Sequence, residues 1–165
     1  MSYPPGSFDQ LVERHRPEIL AYLKRLLGDE HDAEDACQET LLRAYRAFER
    51  LRPESNGRAW LYKIATRTAF NTLKRRKRDE ARSADVDLDR LPSRSAAGPD
   101  PREQMRAVAR AVEALPPKQR AALMQRQFQG LGYGEIAEAL GCSPAAARAN
   151  VYQALKQLRA MLVKE

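Results

Sequence analysis

Cysteine and histidine are scarce, two of each in 165 residues, and too scattered to build a zinc module or a disulfide framework. Cys37 and Cys142 stand in no CxxC or close Cys/His cluster and read as small buried hydrophobes. Long apolar runs are missing as well. No stretch approaches the roughly 18 consecutive apolar residues that a membrane helix needs, and the opening MSYPPGSF lacks the apolar stretch of a signal peptide. The expectation is a cytoplasmic protein with no membrane contact of its own. Catalytic signatures are absent too: there is no HExxH, no GxSxG and no glycine-rich phosphate loop, while His15 falls on an apolar helix face and His31 in a turn. Neither an enzymatic activity nor a cofactor or metal is expected.

What is present is charge, unevenly spread. Residues 1–57 hold 8 basic and 11 acidic side chains, residues 58–82 hold 9 and 2, residues 83–104 hold 3 and 5, and residues 105–165 hold 9 and 4. Two separate basic blocks on a chain of net charge +7 point to two polyanion-facing surfaces, with nucleic acid the leading partner.

Apolar residues recur at helical spacing and nowhere alternate long enough for a strand, so the fold class is all-α. Ser7 and Gln10 form a capping pattern for a first helix, which Pro17 is expected to break or kink before it stops at Gly28. Asp32 is expected to cap a second helix whose buried face includes Ala36, Cys37, Leu41 and Tyr45, with Asp35, Gln38, Glu39 and Leu42 outward. After the turn 52–57, a third helix from about Arg58 to Lys77 exposes Lys63, Arg67, Asn71, Lys74 and the run Arg75–Arg78. Residues 79–99 lose periodicity and collect Ser, Asp, Pro and Gly, reading as a flexible linker that lets its flanks sit well apart. Domains are therefore expected at 1–78 and 100–165.

In the second domain, Asp100-Pro101 opens a helix with Met105, Val108, Ala109 and Val112 inward, and Pro116-Pro117 starts the next. A short helix from Tyr133 to Leu140, a turn at Gly141 and a helix opened by Ser143-Pro144 make a helix-turn-helix. Ala145, Ala146, Arg148, Ala149, Asn150 and Gln153 would face a DNA major groove from it, where small residues permit close approach. In the basic third helix, cations can track phosphates while Trp60, Tyr62 and Phe70 offer rings to unpaired bases. Leu42 among the acids of the second helix suits a protein-docking patch. On these residues alone the partner is nucleic acid, and both a duplex-binding regulator acting alone and a nucleic-acid-modifying enzyme stay open.

Four motifs in order narrow the choice. The segments 32–40 (DAEDACQET), 58–65 (RAWLYKIA), 115–120 (LPPKQR) and 135–143 (EIAEALGCS) resemble those of bacterial extracytoplasmic-function (ECF) sigma factors of RNA polymerase. The resemblance runs from about Phe8 to Leu162 and implies two helical domains that bind core RNA polymerase and direct it to promoters. By that resemblance Asp35, Gln38, Glu39 and Leu42 dock on the clamp helices of the polymerase's largest subunit. The turn Glu54, Ser55, Asn56, Gly57 and the helix residues Trp60, Lys63, Arg67, Asn71, Lys74 and Arg75 open and read the minus-ten element, partly as single-stranded DNA, the turn holding a flipped base. The last helix reads the minus-thirty-five duplex, and the family implies an anti-sigma factor as a further partner. Departures are Arg67 in place of the family's usual asparagine, Gly132 and Gly134 in place of a serine cap and an acid, and Asn150, Gln153 and Leu155 where arginines are common. No further C-terminal domain is expected.

Overall fold

A computed structural model describes residues 7–82 and 100–163. The described residues form helices and no strand: α1 (Phe8–Leu27), α2 (Glu30–Ala47) with a following single 3-10 turn (Phe48–Arg50), α3 (Gly57–Arg82), α4 (Pro101–Glu113), α5 (Pro117–Gln127), α6 (Tyr133–Leu140) and α7 (Pro144–Val163). The expected linker at 79–99 therefore starts as helix, since α3 continues to Arg82, and the remainder lies outside the described residues.

Local chemistry sets the ends. Ser7 Oγ accepts from the Gln10 amide and opens α1. Gly28 closes it at φ 70°, a left-handed conformation that suits glycine. Pro17 does not break α1: it is exposed, so the one carbonyl it leaves without a partner, four residues back, can turn to water. The cap of α2 is Asp29, whose carboxylate accepts the Asp32 amide at 2.8 Å, rather than Asp32 itself. That leaves Asp32 free to pair with Arg76 of α3, whose Nη1 also donates to the Leu27 carbonyl at 2.7 Å. Arg76 is thus a structural tie and not part of a free cationic run.

Ile19, Tyr22, Leu23 and Leu26 of α1, Ala33, Ala36 and Cys37 of α2, and Leu61, Tyr62, Ala65 and Ala69 of α3 are buried together as the N-terminal core. Phe8 lies edge-on to Tyr45 and Phe48, 5.4 Å from each, and Phe48 meets Trp60 at 6.4 Å. Tyr45, expected inward, instead covers Phe8 from outside and stays 66% exposed. The apolar stripe of α4 is likewise turned out: Met105 is 74% and Val108 43% exposed, Ala109 is also exposed, and only Ala111 of the helix is buried.

The two halves do not stand apart. One continuous core runs from α1–α3 into α5–α7, with α6 packed against both α3 and α7. At its centre Tyr22 Oη and Thr66 Oγ1 share a hydrogen bond of 2.8 Å, and Gln125 Nε2 of α5 donates to Tyr22 Oη at 2.9 Å and Thr66 Oγ1 at 3.3 Å. Arg120 of α5, also buried, donates to the Leu26 carbonyl at the end of α1. Polar side chains 59 and 103 residues apart in sequence thus pair across the two halves.

Candidate nucleic-acid interface

On α2, Asp35, Gln38, Glu39 and Leu42 are all exposed on one side of the helix, Leu42 by 54%. Glu39 pairs with Arg43 at 2.8 Å and Asp35 faces His31 at 3.6 Å, both within the helix surface. Beside them runs a groove lined by Asp35 and Glu39 from α2 and by Asn71, Thr72 and Arg75 from α3. Acidic residues of α2 and polar and cationic residues of α3 therefore share one groove, an arrangement the sequence order did not reveal.

On α3, Lys63, Arg67, Asn71 and Lys74 fall at spacings of four, four and three, which aligns them along one side. Arg67, Asn71, Lys74 and Arg75 are exposed and Lys63 is half-buried. Trp60 is half-buried against Phe48, so its ring is committed to the core edge rather than standing free for stacking. In the preceding turn, Glu54 and Asn56 are exposed, while Ser55 and Gly57 are half-buried. Asn56 caps α3, its Oδ1 accepting the Ala59 amide at 3.1 Å. Gly57 is a glycine for packing: a Cβ there would lie 2.9 Å from Cδ1 of Leu11 in α1.

On α7, Ala145, Arg148, Ala149 and Gln153 are exposed, and Ala146 and Asn150 are half-buried. The Asn150 amide nitrogen is already engaged, donating to the Ala146 carbonyl at 3.0 Å, which leaves its Oδ1 as the group that can face a ligand. Ser143 Oγ accepts the Ala146 amide and fixes the start of the helix. Arg148 lies over the Tyr133 ring, 5.0 Å from its centroid, and Arg126 of α5 lies over the same ring at 4.5 Å. One aromatic thus gathers two guanidinium groups at the mouth of the helix-turn-helix.

Four residues without an assigned role, Glu18, Arg58, Gln129 and Glu135, form a second cluster, between the halves. Arg58 donates to Glu18 Oε1 at 2.7 Å, to the Gln129 carbonyl at 2.8 Å and to Glu135 Oε2 of α6 at 3.5 Å. Gln129 in turn donates to Tyr62 Oη at 2.9 Å and to the Glu18 carbonyl at 3.0 Å. Burial disfavours the charged Glu18, yet hydrogen bonds from His15, Arg58 and Tyr62 outweigh it and hold its pKa at about 2. The only signal in the sequence was that Arg58 and Glu135 each sit inside a family-like motif; their partnership spans 77 residues.

Residues 11–79 match Sigma-70 region 2 and residues 105–158 match Sigma-70 region 4, which places the α2–α3 face and the helix-turn-helix in two named regions of one family. Over 161 residues the chain is 31% identical to the RNA polymerase sigma-H factor of Pseudomonas aeruginosa, covering 90% of this chain and 82% of that protein. The chain belongs to the ECF sigma factors of RNA polymerase. It is also 34% identical to the ECF sigma factor SigE of Mycolicibacterium smegmatis over 96% of this chain, of whose length it spans 62%. Among solved structures, the sigma factor RpoE in complex with the anti-sigma factor NepR from Bartonella quintana shares the fold, with a TM-score of 0.73 at 24% identity over 94% of this chain and 96% of that one. Region 2 precedes region 4 along this chain, and no helix among the described residues is long and apolar enough to cross a membrane.

Proposed function

We propose that this ECF sigma factor is a promoter-specificity subunit: it binds core RNA polymerase, engages the minus-ten and minus-thirty-five elements, and initiates transcription without an enzymatic activity of its own. The observation that carries this is a groove where Asp35 and Glu39 of α2 face Asn71 and Arg75 of α3, on the same chain as a capped helix-turn-helix. In this reading Asp35, Gln38, Glu39 and Leu42 form a polar face with one apolar anchor against the polymerase. The turn 54–57 and the α3 stripe track the backbone of unpaired minus-ten DNA, and Arg148, Gln153 and Asn150 meet the minus-thirty-five duplex from α7. Residues 1–78 and 100–165 act as two domains joined by 79–99. The protein works in the cytoplasm, where its polymerase and promoter partners are, and an anti-sigma factor holds it in reserve.

The test is co-purification with core polymerase followed by run-off transcription from a genomic library. Wild-type protein is expected to form a holoenzyme and give discrete transcripts. Asp35→Arg with Glu39→Arg reverses charge at exposed positions and should lower polymerase affinity by tenfold or more, about 1.4 kcal/mol, with an unchanged helical circular dichroism spectrum. Normal holoenzyme assembly by the double variant, or tight sequence-specific binding of duplex DNA without polymerase, would reject the assignment.

A further inference from the structure

We propose that Glu135 is an internal competitor of promoter DNA. In the closed molecule its carboxylate occupies the anion position that Asn56 and Arg58 offer to a DNA phosphate, so closure of the two halves and minus-ten engagement exclude one another. The proposal rests on the minus-ten reading of the turn 54–57.

The contacts support it from both sides. Glu135 Oε2 lies 3.5 Å from Asn56 Nδ2 and 3.5 Å from Arg58 Nη1. A carboxylate and a phosphodiester both present a delocalised negative charge on paired oxygens, which is what a guanidinium with a neighbouring amide donor recognises. Both contacts are at the long end of hydrogen-bond range, and Arg58 and Glu135 each keep 28% of the side chain in solvent, so the pair is displaceable. The shorter bonds of Arg58, to Glu18 and to the Gln129 carbonyl, aim the guanidinium. They leave Nη1 as the nitrogen that meets an exchangeable partner.

Closure and the contact are coupled. In the closed form α6 packs against both α3 and α7, so any movement of α6 away from α3 takes Glu135 from Asn56 and Arg58.

The experiment uses the full chain without polymerase. Cys37 and Cys142 are replaced by alanine, spin labels are placed at exposed Glu34 and Lys156, and the distance distribution is read by pulsed electron resonance with and without a randomised 20-nucleotide single strand, whose affinity is measured by fluorescence anisotropy. Glu135→Gln keeps a side chain able to accept the Gly132 amide, as Glu135 Oε1 does at 3.4 Å, while removing the charge. Glu138→Gln, exposed on the same helix, makes the same change of net charge away from the turn. The single strand should shift wild type to longer distances. Glu135→Gln should already be shifted without DNA and should bind the strand about three- to tenfold more tightly, and Glu138→Gln should match wild type in both. Equal behaviour of the two variants, or opening by Glu135→Gln with no gain in affinity, overturns the competition. If Arg67→Ala with Lys74→Ala leaves strand affinity unchanged while Glu135→Gln still opens the molecule, the minus-ten reading fails and the closure contact stands.

Discussion

At the scale of single residues, the charge of Glu18 is set by its neighbours, and its titration follows from them. Its pKa falls from 4.5 to about 2 because donors from His15, Arg58 and Tyr62 overcome the effect of burial. A depressed carboxylate contributes stability that is complete above its unfolded pKa and lost as pH drops through the folded one. Glu18→Gln should therefore cost about 1.5–3 kcal/mol at pH 7, the range of a hydrogen bond to a charged group. The gap between wild type and variant should narrow below about pH 4.5 and close towards pH 2. Urea unfolding of both proteins at pH 7 and pH 3 checks this, and a constant gap would show that Glu18 holds no special charge. Arg76 makes the complementary point. It stands in a run of five cations, Lys74 to Arg78, yet its pairing with Asp32 and the Leu27 carbonyl sets it apart from its exposed neighbours.

Elements were legible where one face is buried and one is wet. Ile19, Leu23 and Leu26 of α1, Leu61 and Ala65 of α3, Ala147 and Val151 of α7, the left-handed glycine stop at Gly28 and the Ser143 start of α7 follow from periodicity and capping chemistry, whereas Tyr62, expected to offer its ring to unpaired bases, is fully buried beside Tyr22. Periodicity misled at α4, because an apolar stripe says that a helix is amphipathic and not that anything among its neighbours covers it. Capping chemistry points to Asp32 for α2, yet Asp29 takes that place, and Arg76, far along the chain, pairs with Asp32. The helix-turn-helix was legible as a motif, but not the aromatic support beneath it. Tyr133, the first residue of α6, carries Arg126 and Arg148 over its ring. Tyr133→Phe should preserve the placement of Arg148, whereas Tyr133→Leu should lower discrimination at the minus-thirty-five element by about 0.5–1 kcal/mol, the size of an exposed cation–π contact. Holoenzyme transcription from promoters mutated in that element measures it, with melting temperature as the control for folding. Equal loss in both variants would indicate that the tyrosine hydroxyl, and not the stacked arginine, matters.

For the molecule as a whole, the sequence suggested two bodies on a tether, and the structure joins them through a common core. The joining contacts were hidden because they are made by polar side chains, Tyr22, Thr66, Gln125, Gln129 and Arg120, which carry no periodic signature and pair across about 60 to more than 100 positions. A closed resting form lowers apparent affinity for any partner of the open form by the fraction of molecules open at a given moment. The character of the seam bears on that fraction. At its centre the Gln125 amide donates to two hydroxyls, while its Oε1 is buried with no partner. When the halves part, water supplies that idle oxygen and re-solvates both hydroxyls, so solvent subsidises separation at the very point where an all-leucine seam would resist it. Gln125→Leu should remove this solvent drive while leaving the Tyr22–Thr66 bond intact. The closed form should gain about 1 kcal/mol, which would cut the open fraction roughly fivefold and raise the melting temperature. The protein would then be sturdier in isolation and slower to be taken up by polymerase, and paired measurements of thermal unfolding and holoenzyme assembly rate would reveal the two effects moving in opposite directions.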